Sequence, residues 1–501
     1  MDRRSFLGAA AAATVGVVGG AAWLANSGGS PSVSGVRPLP ILPLTDLTQT
    51  TPEIVGLKLG RGSHDFGTGV NSGTLGVNAD YLGPVLRVKS GQDLPFAVQN
   101  TLDEKVALHW HGLHVPGAVD GGPHQEIDPG ATWRPIVPIR QRGSMNWFHS
   151  HTHGTTAPQT YHGLAGVMLV EDDASLAADL PNTYGVDDLT LVLQDKAFDA
   201  TGRLFYELTG AVFEDGFEGD TLVVNGAIGP VSHRAPAGLV RLRLLNASNA
   251  RFLTLSCAAG APLVVIASEG GFLASPVETA TLTIMPGERY EVLIDMRAAE
   301  QSALRVSYGG EAEGLAWLSQ RFTGAPVKTA LILNADPSLP AFDGAMPKTL
   351  ATLAPPRRED ARVTRDFELN MGDADLAALA RDWGNLCGAG GMGVNGRPMK
   401  MDRIDFQVSR GEPEIWRITA DDMGHPFHIH GCSFRILRQN GQAPPAYAEG
   451  WKDMVEVQDG AGASEVLVTF DHPADAATPY MFHCHILEHE DCGMMGQFTV
   501  V

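Results

Sequence analysis

Basic residues are scarce: 36 lysines and arginines face 57 aspartates and glutamates, a formal charge of -21 over 501 residues. So acidic a chain does not wrap a polyphosphate backbone, which argues against nucleic acid as a partner and suits a neutral or cationic small substrate. Cysteine is equally sparse. There are five, an odd number, none spaced Cys-X-X-Cys as structural zinc sites favour, and a chain this long does not need disulfide staples. Aromatics make up only 7%, yet 44% of residues are hydrophobic, enough to bury a large core across two to four domains. Long amphipathic helices are also missing; residues 374–384, "ADLAALARDWG", are one short candidate.

The amino terminus pairs Arg3 with Arg4 and follows them with Phe6, Leu7 and a run of Ala, Gly and Val. Residues 1–30 resemble a twin-arginine export signal, which implies recognition by the export machinery and a mature protein in the oxidising periplasm. About 20 apolar residues would also serve as a membrane anchor, but this stretch is Gly/Ala-rich and only mildly hydrophobic.

A Pro/Ser/Gly-rich linker, 31–50, leads into short apolar runs broken every 8 to 12 residues by Gly, Pro, Asn or Asp, such as "PVLRVKSGQDLPFAVQN", "LVRLRLLNASNARFLTLS" and "RYEVLIDM". Their alternation predicts strands of β-sandwiches or barrels. Joints at 171–188 and 335–364, acidic or proline-rich, divide the chain into units at 51–172, 186–335 and 362–501, each of ordinary domain size. "LVVNGAIGP" at 222 and "MGVNGRPMK" at 392 each precede a basic apolar strand, so the second and third units read as relatives of one another.

Histidine carries the chemistry. Random placement of 17 histidines yields roughly half of one His-X-His, yet five occur: 109/111, 149/151, 151/153, 428/430 and 483/485. Two exposed or core histidines fall that way easily, so one pair says little. Four separate pairs, two in the first unit and two in the third, predict a site shared between those units. Strand side chains alternate faces, so an extended "HCH" at 483–485 sends His483 and His485 to one side and Cys484 to the other. Eight imidazoles on the histidine side suit a borderline metal such as copper and could hold three ions. On the other side, Cys484, His489, Met494 and, from a separate strand, His425 make the thiolate, two-imidazole and weak thioether set of a blue-copper electron-transfer site. Zinc competes for Cys and His, but would not need eight further histidines.

At this point the chain resembles a three-domain multicopper oxidase. "HWHG" (109–112), "WFHSHTHG" (147–154), "HPFHIHG" (425–431) and His483 through Met494 carry the resemblance, and "HGLHVPGAVDGGP", "GWKD" and "HEDCGMM" are similar to bacterial periplasmic copper-efflux oxidases and bacterial laccases. The resemblance implies an all-β fold of three cupredoxin-like Greek-key domains, with a trinuclear cluster between domains 1 and 3. It also implies four copper ions. His425, Cys484, His489 and axial Met494 would bind one type 1 copper, His109 and His428 one type 2 copper, and His111, His149, His151, His430, His483 and His485 the two type 3 coppers. Asp120 and Glu490 fall at the family's proton-relay positions.

The implied activity is one-electron oxidation of Cu(I), or of small phenols and aromatic amines, coupled to four-electron reduction of dioxygen to water, by a monomer serving copper tolerance. Met371, Asp375, Asp421 and Met423 resemble the family's substrate-copper site, although the long methionine-rich insert of efflux oxidases is absent. A laccase-like phenol oxidase is the alternative. A copper-free exported protein serving cell division or envelope structure is a further one, and that class loses ligands which this chain retains. His153 departs from the efflux-oxidase wording and is expected outside the ligand shell, with His114, His124 and His162. Cys432 and Cys492, each near type 1 ligands, are expected to pair in the oxidising compartment.

Overall fold

The computed structural model describes residues 35–308, 327–372 and 392–501. Residues 1–34, the helix candidate 374–384, Asp375 and Cys387 lie outside them. Strands dominate, and they assemble into six sheets among the described residues, two for each stretch of chain.

The first pair sets Leu44–Asp46, Val85–Lys89, Ala165–Glu171, Ser144–Ser150 and Leu108–His111, in that spatial order, against a sheet built on Val55–His64 and Asp93–Asn100. The run "PVLRVKSGQDLPFAVQN" therefore forms two strands that part into opposite sheets. Alternation is plain at the start of Val55–His64, where Val55, Leu57 and Leu59 are buried and Gly56 and Lys58 exposed, the period expected of a sheet with one wet face. The second pair holds Asp188–Phe198, Leu239–Asn246 and Arg289–Asp295 in one sheet and Val231–Pro236, Val327–Asp336 and Leu253–Cys257 in the other. The third pairs a sheet on Val363–Asn370 and Glu414–Ala420 with one ordered Phe406–Val408, Met495–Val500, Tyr480–Cys484, Gly424–Ile429 and Met454–Gln458.

Each pair encloses its own apolar core. A further cluster, with Phe66, Tyr81 and Trp147 against Phe198, Val223 and Leu245, welds the first pair to the second. The segment 35–50 takes part in the sheets: Arg37–Pro38 pairs in parallel with Val231–Pro236, and Leu44–Asp46 with Val85–Lys89. The resemblance between "LVVNGAIGP" and "MGVNGRPMK" has a shared conformation. Asn225 and Gly226, and likewise Asn395 and Gly396, both take positive φ, the two left-handed residues that a tight hairpin turn requires.

No helix among the described residues is long and apolar enough to cross a membrane. The short helices that occur do local work. Leu487–Asp491 and Thr156–Tyr161 pack together, and Asp491 accepts the backbone N–H groups of Thr156 and Ala157, each at 2.9 Å. A carboxylate from the third pair of sheets thus satisfies helix-terminal donors in the first.

Candidate metal centres

Register brings the histidines together. Leu108–His111 runs antiparallel to Ser144–Ser150 with His109 opposite His149, while Gly424–Ile429 runs antiparallel to Tyr480–Cys484 with His428 opposite His483. These two strand pairs, one from the first unit and one from the third, face each other across the seam. His109 stacks on His430 with ring centroids 3.8 Å apart, and His111 on His428 at 3.7 Å. All eight imidazoles are buried. Their nitrogens converge in overlapping groups, namely His109, His428 and His430; His111, His149 and His485; and His151, His430 and His483, each with atoms within 4.8 Å of one another.

Hydrogen bonds on the outer nitrogens decide which lone pairs point inward. His109 Nδ1 donates to the Asp120 carbonyl at 2.9 Å, His428 Nδ1 to the Asp453 carbonyl at 2.8 Å, His149 Nδ1 to the Ser150 carbonyl at 2.8 Å and His483 Nδ1 to the Cys484 carbonyl at 2.9 Å. His430 Nδ1 donates to Asp120 Oδ2 at 2.8 Å. On His111 the roles reverse: Nε2 lies 3.2 Å from Asp453 Oδ1, and Nδ1 has no partner. Burial and neighbouring imidazoles hold His111, His149, His151, His428, His430 and His485 well below the usual histidine range, and burial brings His483 down to about 3. They are neutral, as ligands must be.

The donor set fits a cation. His430 Nε2 and His483 Nε2 lie 3.3 Å apart with His151 Nε2 at 3.1 and 3.3 Å from them; His430 and His483 have spent their N–H on the other nitrogen, so at most the one proton of His151 is shared among the three. Buried nitrogens without partners also include His109 Nε2, His149 Nε2, His428 Nε2 and both nitrogens of His485. Buried polar atoms are nearly always satisfied; a metal would satisfy those that converge here together.

Cys484 turns the other way, as strand alternation predicts. Its Sγ lies 3.4 Å from His425 Nδ1 and 3.7 Å from His489 Nδ1. Here too the outer nitrogens are engaged, His425 Nε2 with the Asp422 carbonyl at 3.0 Å and His489 Nε2 with that of Glu214 at 3.1 Å. Met494 is fully buried in the same core. Burial pushes the Cys484 thiol far up and lowers His425 to about 4, a pairing that a cation would reverse at the sulfur. Sulfur with two imidazoles is the soft, nitrogen-rich donor set that copper favours.

Both expected carboxylates border the histidine cluster. Asp120 Oδ2 bonds His430 and lies 3.4 Å from His109 Nδ1, with Oδ1 unpartnered. Glu490 sits 3.3 Å from His151 Nδ1 and 3.2 Å from His483 Nδ1, and burial raises its carboxyl well above the usual range. Met371 and Met423 pack against the core that holds the Cys484 set, and Asp421 Oδ1 accepts the Met371 N–H at 3.1 Å. Asp375 is not described.

Outside the ligand groups, His114 bonds Ser433, His124 bonds Gln497 and His162 bonds the Pro158 carbonyl. The expected pairing of Cys432 with Cys492 is wrong. Cys432 is a free, buried thiol, whereas Cys492 is disulfide-bonded; nearness to the same metal ligands along the chain did not make the two neighbours of one another.

Sequence reasoning missed Asp453 as a residue of the site. It faces His111, and Arg289 donates to both its oxygens at 2.7 and 2.6 Å. Its only signal was its place in "GWKD", immediately before the strand Met454–Gln458. Glu488 was missed as well; it is buried and bonded to Asn249 at 2.7 Å and Tyr206 at 2.9 Å.

The multicopper oxidase family matches this chain at residues 59–175, 201–316 and 368–501. Among curated proteins, cell division protein FtsP of Escherichia coli is 36% identical over 468 residues, 93% of each chain, and that of Edwardsiella tarda 38% identical over 507 residues, 100% of this chain and 99% of the relative. Among solved structures, the laccase-like multi-copper oxidase CueO of Ochrobactrum sp. is 41% identical with a TM-score of 0.83, covering 93% of this chain and 100% of that one. McoA of Aquifex aeolicus is 26% identical with a TM-score of 0.79, covering 93% and 100%. The all-β sheet pairs are accordingly cupredoxin-like, and the chain belongs to the multicopper oxidase family.

Proposed function

We propose that this protein is a working copper oxidase that couples one-electron oxidation of a reductant to four-electron reduction of dioxygen to water. The observation that carries the reading is the convergence of His151, His430 and His483, whose Nε2 atoms lie 3.1 to 3.3 Å apart, within a set of buried imidazoles several of whose other nitrogens are already engaged. In this reading His425, Cys484, His489 and Met494 hold a type 1 copper, His109 and His428 a type 2 copper, and His111, His149, His151, His430, His483 and His485 a type 3 pair. Copper in these positions supplies the one-electron steps and the binding of dioxygen.

The chain's own residues supply the rest. Cys484 is joined through the backbone to His483 and His485, so the electron entry and the histidine cluster are covalent neighbours. Glu490 holds a proton at its carboxyl beside His151 and His483, and Asp120 orients His430 by accepting its Nδ1 proton. Burial of the whole set keeps bulk water away from the reacting oxygen.

As reductant we favour Cu(I), supported by Asp421 and Met423 just before His425 in sequence, by Met371, whose N–H bonds to Asp421, and by the packing of both methionines against the core that holds Cys484 and Met494. A phenolic reductant is supported by the Ochrobactrum relative, described as having oxidase activity towards lignin model compounds and lignosulfonate. The relatives named cell division protein favour a second class, a protein serving cell division, which in a copper-free form would leave the histidine cluster empty. Against the copper-free form, an uncoordinated cluster leaves many buried nitrogens unsatisfied, at about 1–3 kcal/mol each. Export by the Arg3-Arg4 segment to the periplasm, as a monomer, completes the proposal.

Copper-loaded protein is expected to be intensely blue, and Cys484→Ser to lose the colour and all oxidase turnover. Steady-state oxygen consumption with Cu(I), and with 2,6-dimethoxyphenol with and without added Cu(II), separates the reductants. Saturable Cu(I) oxidation supports the first; phenol turnover independent of added copper without saturable Cu(I) oxidation sinks it. Colourless protein that takes up no copper would leave the cell-division class standing.

A further inference from the structure

The fold gathers two of the histidines outside the groups above with several methionines. Met399, Met481 and Met495 are buried in a cluster of their own, with Met401 packed on it from outside. Met401 also lines an open cavity of about 470 Å³ together with His124 and His153. These residues come from three distant stretches of chain, so the grouping is made by the fold and not by a methionine-rich run.

The imidazoles are presented as ligands. Gln497 Nε2 donates to the carbonyls of Met401 at 3.1 Å and Arg403 at 2.6 Å, which fixes its Oε1 as the acceptor for His124 Nε2 at 2.7 Å. His124 therefore keeps its lone pair on Nδ1. His153 Nδ1 is buried without a hydrogen-bond partner. Glu126 and Asp128 complete the cavity lining, and Lys105, 2.8 Å from the first and 3.8 Å from the second, is the lysine that faces both. Two carboxylates against one ammonium draw in a cation.

The methionines lead inward from this cavity. On the strand Tyr480–Cys484, Met481 and His483 share a face by alternation. A side-chain carbon placed on Gly122 would lie 3.8 Å from Met481 Cγ and 3.7 Å from Asp120 Oδ2, so the thioether cluster and the carboxylate on His430 are separated by little more than one glycine. Four methionines alone fill a gap as well as any apolar set. Thioethers beside open imidazoles and an acidic rim are instead the donor set of a soft monovalent ion.

We propose that Met401, with Met399, Met481 and Met495 behind it and His124 and His153 at its side, binds a monovalent copper ion at a site separate from those above and passes it to the histidine cluster during loading. The binding stands on its own; the loading role rests on the copper reading of that cluster. No redox change is involved, since the ion exchanges ligands and leaves as it arrived.

The test counts Ag(I), a redox-inert stand-in for Cu(I), retained by the full chain after copper loading and equilibrium dialysis. Wild type is expected to retain about one Ag(I) per chain more than Met401→Leu or the double variant His124→Gln/His153→Asn, whereas Met296→Leu, in the core of the second pair of sheets, retains as much as wild type. Leucine conserves the methionine volume, and thermal melting identifies any variant that fails to fold. Reloading of chelator-stripped protein with limiting Cu(I), followed by copper content, is expected to be slower by about tenfold in Met401→Leu with the same endpoint. Equal Ag(I) retention by wild type and both variants overturns the site. Lost Ag(I) with unchanged reloading overturns the loading role alone, and so does a wild-type histidine cluster that never takes up copper, for which the Ag(I) count still decides the site.

Discussion

At the scale of single residues, the two carboxylates beside the histidine cluster stand in different bonds. Asp120 accepts from His430 at 2.8 Å, so it works as an orienting group. Glu490 faces His151 Nδ1 at 3.3 Å and His483 Nδ1 at 3.2 Å, and burial raises its carboxyl well above the usual range, so in the proposed oxidase it would store a proton. Glu490→Gln keeps shape and burial but cannot cycle a proton. Oxygen consumption is expected to fall by about 10²-fold or more with copper content and reductant KM unchanged; an equal loss of copper would instead mark Glu490 as structural. The candidate ligands were legible because His-X-His in a strand has one geometric meaning, and Cys484 between two histidines has another. Asp453 and Glu488 were not legible: each matters through a partner more than 150 residues away, Arg289 or Asn249, and no local pattern encodes that. The disulfide misreading has the same origin, since proximity in sequence to His425 and His489 says nothing about which cysteines meet.

At the scale of elements, alternation made the strands readable, and turns then set what the strands hold. Gly287, in the turn before Arg289–Asp295, takes φ +83° and would place a side-chain carbon 2.9 Å from His485 Nε2. Gly287→Ala therefore adds about 1–2 kcal/mol of backbone strain and pushes an imidazole out of the cluster. Loss of copper from the histidine cluster is expected, with the blue absorption of the Cys484 set retained, as read by metal content against the visible spectrum. The strand Asp188–Phe198 is buried along all 11 residues, Lys196 included. Its Nζ donates to the Tyr161 carbonyl at 2.6 Å and lies 3.8 Å from the centre of the Tyr161 ring, and burial brings its pKa down to about 7. The unfolded chain keeps that proton up to about 10.5. Between the two values the unfolded state binds one proton more, so this group makes the protein more stable as pH rises from about 7 to about 10.5, by on the order of 4 kcal/mol over the window. Urea unfolding of wild type and Lys196→Met at pH 6, 8 and 10 is expected to show wild type gaining on the variant with pH; parallel curves would refute a neutral buried lysine.

At the scale of the whole molecule, the second unit supplies none of the copper-ligand candidates yet holds the other two in place. One guanidinium does much of this: Arg289, fully buried, donates through Nε to the Met145 carbonyl of the first unit at 2.9 Å and through its other nitrogens to Asp453 of the third at 2.7 and 2.6 Å. Asp453 in turn faces His111 at 3.2 Å and positions His428 through its carbonyl. The two strand pairs that meet across the seam are thus registered by a residue belonging to neither. Arg289→Met leaves the Asp453 charge buried and unpaired, at a cost of about 3–5 kcal/mol, and removes the constraint on the His111 tautomer. Arg289→Met/Asp453→Asn removes both charges and is expected to cost less than the sum of the single variants. Denaturant unfolding of the four proteins gives the coupling directly, and copper content reports the site. If the double variant regains stability but not copper, the ion pair serves to aim His111 rather than to hold the units together; if the single variants prove additive, the guanidinium is not the clamp that its three contacts describe.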